Sequence, residues 1–302
     1  MYYKVKNRCY RRGGTVMKVI QGQRFGQERA LYNIKDAEIS DCRFEGEEDG
    51  ESAMKEGRRL KVRDSFFDLR YPFWHVRRAE IEKCEMTEKC RAALWYDSDV
   101  KIEDCKMHGI KALRECSRVS IANSDVVSPE FGWRNRHVDI KDTSVTGEYA
   151  FFESRNITAD NLDFHGKYSF QYVKNAKISF SVLDTKDAFW HSENVTVTDS
   201  TIKGEYLAWY SKGLTLVRCK IIGTQPLCYC RGLKLIDCTM EAADLSFEYS
   251  DVEAQVNGRI ESVKNPLSGS ITADEIGQVI LSDSVYPCRA KINAEKVAET
   301  IS

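Results

Sequence analysis

The sequence predicts an all-β fold: a single-stranded right-handed parallel β-helix, a solenoid whose coils of about 19 residues build three parallel sheets. Three observations predict it. The first is a fixed step within the chain. From Val197, counting back by 19 reaches Ile178, Ala159, Ile140 and Ile121, and counting forward reaches Leu216, Leu235, Ala254 and Ala273. The second is strand patterning. An apolar residue stands two before most of these positions (Val119, Val138, Ile157, Val195, Leu214), with a polar one between, which is the period-two signature of a half-buried strand. The third is column uniformity. Three residues after the reference position the side chains are small (Cys105, Ser124, Thr143, Ser181, Ser200, Cys219, Cys238), and five after they are apolar (Met107, Val126, Val145, Phe164, Leu183, Ile202).

A self-similar period near 20 residues is the mark of a solenoid. At about 3.3 Å per strand residue, 19 residues trace a coil about 60 Å around, and successive coils stack about 4.8 Å apart. Like residues then lie above like, which is what keeps the columns uniform. Leucine-rich repeats have a different Leu and Asn spacing, and left-handed β-helices have a hexapeptide period that this sequence lacks. Parallel connections in one sheet favour the right-handed path.

In chain order, residues 1–16 read as an N-terminal extension with no apolar run of a secretory signal, and a mis-called start upstream of Met17 is expected. Residues 17–302 read as one β-helix domain with a cap at each end. Residues 17–38 form the first coil and its cap. From Ile39 to Val62 the step lengthens to 23, and the excess is expected as a charged loop, Glu45 to Arg58, a candidate for function. The steps to Ile81 and Ile102 are 19 and 21, and thereafter 19 through Ala273. A short helix near Ala294–Ile301 is expected to close the C-terminal end.

Charges balance at 45 basic and 46 acidic residues, so no global field favours nucleic acid or an anionic membrane, and neither is an expected partner. No stretch is apolar and long enough to span a bilayer as a helix. The eleven cysteines, several in the small-residue column, read as reduced thiols packed inside the coil, and with the absent signal they lead to a cytoplasmic expectation. Cys228 and Cys230 lack a histidine in register, so no metal site and no cofactor is expected.

The third strand of each coil carries the candidate site. All five tryptophans (Trp74, Trp95, Trp133, Trp190, Trp209) fall in one column, and Phe152 and Phe247 are placed with them. The next column reads His75, Tyr96, Glu115, Arg134, Glu153, Tyr172, His191, Tyr210, Tyr229, Glu248. Strand alternation puts the two on opposite faces. The small residues flanking the tryptophans, and the cost of burying Glu115, Arg134 and Glu153, predict tryptophans inside and the polar column outside. Phe151, Phe170 and Phe189 then also face out, an aromatic patch through which an oligomer could form. His75, Tyr96, Tyr172, His191, Tyr210 and Tyr229 are the candidate ligand-binding residues, suited to a sugar chain. Glu115 and Glu153, two coils or about 9.6 Å apart, are candidates for acid and base, near the upper end of the spacing of inverting glycosidases. Arg134 between them would orient an anionic sugar. The competing reading of Glu115–Arg134–Glu153 is an ordinary cross-strand ion-pair ladder.

Several segments resemble a bacterial family of uncharacterised β-helices with the pectin-lyase-like fold, the DUF3737 family: FGQERAL (25–31), GESAMKE (50–56), RYPFWH (70–75), ALWYDSD (93–99), FGWRN (131–135) and FFESRN (151–156). The resemblance implies the fold and lends no catalytic residues. Two function classes follow: a carbohydrate-binding or carbohydrate-active protein, of glycoside hydrolase or polysaccharide lyase type if an enzyme, and a non-enzymatic interaction scaffold.

Overall fold

The structure, a computed structural model, describes residues 8–12, 15–46 and 50–302. The chain divides into two compact units, residues 1–147 and 148–302. Both are built of parallel strands stacked coil on coil, the arrangement of a right-handed parallel β-helix, with no helix among the described residues. Residues 1–7 and 13–14 of the expected N-terminal extension lie outside the described residues. Its strand Arg8–Arg12 pairs antiparallel with Thr15–Gln21, Tyr10 opposite Met17.

The repeat read from the sequence is the register of the sheets. In the first unit Ile39 pairs Val62, Val62 pairs Ile81, Ile81 pairs Ile102, and Ile102 and Ile140 flank Ile121. In the second, Ala159, Ile178, Val197, Leu216 and Leu235 form one continuous column. These residues are all buried. Each contributes about 1.5–3 kcal/mol of apolar burial if it is of Val, Leu or Ile size. Aromatic columns add stacked rings to the interior: Phe25 on Phe44 at 5.0 Å and Phe44 on Phe67 at 4.7 Å.

The small-residue column solves a hydrogen-bonding problem. The chain turns a corner at residues held in the left-handed region, such as Asp104 (φ 54°) and Asn123 (φ 49°), and the next backbone N–H points into the core. An orphaned buried N–H is costly. The small side chain of the following coil accepts it: Cys105 N–H donates to Ser124 Oγ at 3.1 Å, and Ser181 N–H to Ser200 Oγ at 3.0 Å. Each hydroxyl in turn donates to the carbonyl two residues back, as Ser200 does to Thr198 at 2.7 Å. Cysteine serves the same corner, and Cys42, Cys84, Cys105, Cys219 and Cys238 are buried, unpaired thiols, as the sequence predicts.

Three local expectations are corrected. The 14 residues Glu45 to Arg58 are not all loop. Glu51 and Ala53 accept backbone hydrogen bonds from Arg29 and Leu31, and Met54 is fully buried, so Glu51 onward forms the third face of its coil. Residues 47–49 of that stretch lie outside the described residues. The step of 19 stops before Ala273, which pairs Val256, while Ala254 pairs Ile271, a step of 17. The coil is shortened at Gly269 (φ 95°), where a Cβ would lie 2.0 Å from the Val252 carbonyl oxygen, so only glycine fits. Finally, Lys291–Ile301 is a strand paired in parallel with Ser268–Ile280, not a helix. The open backbone edge of the preceding coil outweighs the helical propensity of NAEKVAET, which is a weak prior.

Candidate functional site

The third face is built unlike the other two. Every second residue along it is left-handed: Tyr168, Phe170 and Tyr172 have φ of 59°, 56° and 57°, and Tyr206, Ala208 and Tyr210 of 57°, 61° and 61°. Each such residue costs about 1–2 kcal/mol relative to ordinary backbone. Hydrogen bonds offset it, alternately to the coil before and the coil after: Phe170 N–H donates to Ala150 O at 2.8 Å, and Tyr172 N–H to Trp190 O at 2.8 Å. Among the described residues, only Phe73–Trp74, Leu94–Trp95 and Leu113–Arg114 of the first unit form regular two-residue strands here.

This backbone overturns the inside–outside assignment made from strand alternation. Phe151, Phe170 and Phe189 are fully buried, stacked at 4.7 and 5.1 Å, and so form no outer patch for an oligomer. The tryptophans are half-buried rather than interior. Trp74 stacks on Trp95 at 5.2 Å with the Lys55 ammonium 3.6 Å from the Trp74 ring centre. Trp190 stacks on Trp209 at 5.4 Å, and their indole N–H groups donate to the carbonyls of Tyr206 and Gln225. The polar column from His75 to Tyr229 does face outward, as expected, each of these members held at positive φ.

In the first unit that column is closed by polar contacts. His75 Nδ1 lies 2.9 Å from Glu56 Oε1, a partner the sequence reading missed. The Tyr96 hydroxyl donates to the Glu115 carboxylate, which with partial burial raises the phenol above its usual range. Arg114 Nε donates to Glu115 Oε1 at 3.0 Å. Glu115 is thus a doubly held carboxylate, and Arg134, further along the same column, is exposed.

In the second unit the column is a row of stacked rings. Glu153 is exposed at its start. Tyr172 stacks on His191 at 4.9 Å and 10°, His191 on Tyr210 at 5.0 Å and 8°, and Tyr210 on Tyr229 at 4.8 Å and 13°. Tyr172 and Tyr210 are 44% and 42% exposed. The faces of the inner rings are therefore spent on one another, and solvent meets a comb of edges: phenol hydroxyl, imidazole nitrogen, hydroxyl, hydroxyl. Burial, then the nearby Glu248 charge, pushes the Tyr229 phenol up to about 12. The next ring is Tyr249, 5.9 Å on, and Tyr286 meets it edge-on at 5.2 Å. A constant step of 19 places Glu248 in this column and Phe247 with the tryptophans, and the structure corrects both. Tyr229 N–H bonds Glu248 O where Tyr210 N–H bonds Cys228 O, so the step here is 20 and Phe247 is buried. Ser250, which falls in the buried column of Ser192, Ser211 and Cys230, is the signal that would have shown the shift.

No group of three or more metal-ligating side chains occurs among the described residues. The fold and this face define a β-helix protein with an outward aromatic row. The profile of the family described as "Protein of unknown function (DUF3737)" matches residues 18–293, and the chain belongs to that family. No curated protein matches the chain in sequence. Solved structures with a similar fold include tailspike protein 3 of bacteriophage CBA120, at 9% identity over 92% of this chain and 53% of that one, TM-score 0.30. This chain spans about half the length of that tailspike. A double mutant of the periplasmic alginate epimerase AlgG is similar at 9% identity, over 95% and 86% of the two chains, TM-score 0.30. A mutant tailspike of E. coli bacteriophage HK620, in complex with a hexasaccharide, is similar at 11% identity, over 87% and 59%, TM-score 0.30. At this level the likenesses carry no functional weight.

Proposed function

We propose that the outward row Tyr172–His191–Tyr210–Tyr229 of the second unit binds a linear oligosaccharide, and that it does so through ring edges. The observation that carries this reading is the row itself: rings 4.8–5.0 Å apart, the first three exposed and Tyr229 half-buried, with phenol hydroxyls that make no hydrogen bond to other described residues. A rigid comb of hydroxyl and imidazole groups can both donate to and accept from successive sugar hydroxyls. Stacking of sugar rings on aromatic faces is confined to the ends of the row, since the inner faces are covered. The coils hold the comb without further ordering cost on binding.

Catalysis is a separate part of the proposal. If sugar is cleaved, the candidate acid–base carboxylates are Glu115 in the first unit, where Arg134 would orient the ligand and His75 and Tyr96 extend the binding residues, and Glu153 in the second. Ten described cysteines are unpaired, which fits the reducing cytoplasm proposed as its location. A glycan array with reducing-sugar release tests both parts. Glycan binding with release abolished by Glu115→Gln or Glu153→Gln supports an enzyme. Binding without release leaves a carbohydrate-binding protein. No binding to any glycan, with self-association in native mass spectrometry, favours the scaffold reading instead.

A further inference from the structure

Two residues beyond each ring of the row stands a second outward column. It reads Arg155, Lys174, Glu193, Lys212, Arg231, and then Asp251, two beyond the next ring Tyr249. The residue between each ring and its charged neighbour, such as Val173, Ser192, Ser211 or Cys230, is buried, so ring and charge project from the same edge of the coil. The register is direct: Arg155 opposes Lys174, Lys174 opposes Glu193, Glu193 opposes Lys212 and Lys212 opposes Arg231. Four cations thus stand with two carboxylates, both engaged: Glu193 by Lys174 at 2.9 Å, and Asp251 by the Gly232 N–H and the Ser268 hydroxyl at 3.1 and 2.8 Å.

Like charges directly opposite on neighbouring strands are destabilising. Elsewhere in the same unit cations are met by carboxylates, even where Lys167 opposes Lys186. Glu148 pairs Lys167, Asp184 pairs Lys203, Lys186 pairs Glu205 and Asp199 pairs Arg218. In the basic column Arg155 faces Lys174 and Lys212 faces Arg231, and neither Arg155 nor Lys212 makes an ion pair among the described residues. Arg231 is pinned with Nη1 on the carbonyls of Cys230 and Tyr249, at 2.9 and 2.7 Å, so its remaining N–H groups are held in place. The next column out is uncharged: Asn156, Asn175 and Asn194 joined amide to amide at 3.1 and 3.3 Å, then Gly213 and Gly232. Gly213 and Gly232 bring no side chain of their own to that flank, where the Asp251 carboxylate accepts the Gly232 N–H at 3.1 Å.

We infer that the ligand of this face is an acidic oligosaccharide, carrying a carboxylate on successive sugar residues, anchored by Arg155, Lys174, Lys212 and Arg231 while its hydroxyls meet the ring edges. The inference rests on the carbohydrate reading above and names its ligand class. A single-stranded nucleic acid would also answer the charge, but it gains its affinity by stacking bases on aromatic faces, and here the inner faces are closed by neighbours about 5 Å away. The whole chain carries a net charge of only −1, so the attraction is local to this strip.

Isothermal titration of the full chain tests it, with hexagalacturonate and its carboxyl-reduced, neutral counterpart as probes, at low and high salt. The acidic hexamer binds about tenfold or more tighter at low salt, and the preference shrinks as salt screens the charges. Arg155→Gln and Lys212→Gln each weaken the acidic hexamer about 2- to 5-fold and leave the neutral one unchanged, with an unaltered circular dichroism spectrum. Lys186→Gln, outside the strip, changes neither. Equal, salt-independent binding of both sugars overturns the charge assignment and leaves the carbohydrate reading standing. Binding of neither sugar removes both. A single-stranded oligonucleotide binding more tightly than the acidic hexamer overturns the inference in favour of nucleic acid.

Discussion

The same outward column is read differently by the two units. In the first, each functional group is matched to a partner of opposite character: His75 to Glu56, and Tyr96 to Glu115, which Arg114 also holds. In the second, Tyr172, His191, Tyr210 and Tyr229 are matched to one another, ring on ring. Both are products of the solenoid rule that places like position above like. The rule decides that neighbours touch, and residue identity decides whether contact consumes the polar groups or leaves them pointing at solvent. A column of mixed charges closes on itself. A column of phenols and imidazole buries its faces and offers its edges.

The comparison breaks most sharply at the support beneath the second row. Phe170 is fully buried between Phe151 and Phe189. Phe170→Ala removes that ring and costs about 3–5 kcal/mol, measured by denaturant unfolding. A cost under about 1 kcal/mol would mean that the phenylalanine column faces outward after all.

The next effect belongs to the inner corner beside each column. In the second unit it is lined by Ser192, Ser211 and Cys230, and in the first by Asp97, Cys116 and Asn135, all buried. The Val76 N–H donates to Asp97 Oδ1 at 2.6 Å, while Oδ2 has no partner. Burial raises the Asp97 carboxyl well above the usual carboxylate range, and the Val76 hydrogen bond opposes this only in part. A carboxyl raised on folding contributes its full stability below the unfolded-state value of 3.8. That contribution is lost as pH climbs toward the folded-state value. Asp97→Asn therefore raises the melting temperature at pH 7, and the gain fades as the pH is lowered toward 4. A melting temperature that falls at pH 7 would show that the ionised carboxylate is needed there.

A smaller effect separates the two tyrosines whose phenols are raised. Tyr96 is raised first by its hydrogen bond to Glu115, and Tyr229 first by burial. Ultraviolet titration of Glu115→Gln returns Tyr96 toward 10 and leaves Tyr229 where it was. The stability change is about 0–1 kcal/mol, as for an exposed polar pair. If Tyr96 keeps its elevated titration, its partner is not Glu115.

What was legible in the sequence follows from where pleated-strand physics holds. Residues such as Ile121, Ile178 and Val197 lie on true strands, so period-two alternation and a constant step gave their burial and register together. The outward polar column was legible too, because burying Glu115 and Arg134 is costly wherever the backbone goes. Phe151, Phe170 and Phe189 were misplaced because the third face alternates left-handed residues, and no strand pattern describes that backbone. The terminal strand Lys291–Ile301 was misread as helix because local propensity is silent about a neighbouring open edge. Tyr249 was missed through a single inserted residue, which changes register without changing composition.

The central claim is that the second row binds sugar by its edges, and the replacement Tyr172→Phe, Tyr210→Phe, Tyr229→Phe in one chain tests it most directly. Every ring and every stacking face remains, and only three hydroxyls are lost. Each hydroxyl engaged with ligand is worth about 0.5–1.5 kcal/mol, so calorimetric titration of the oligosaccharide that the array identifies should weaken by about 10-fold to 1,000-fold or more while the unfolding midpoint stays unchanged. Undiminished affinity in the triple variant would contradict the account, because a surface that binds through ring faces loses nothing when the hydroxyls go.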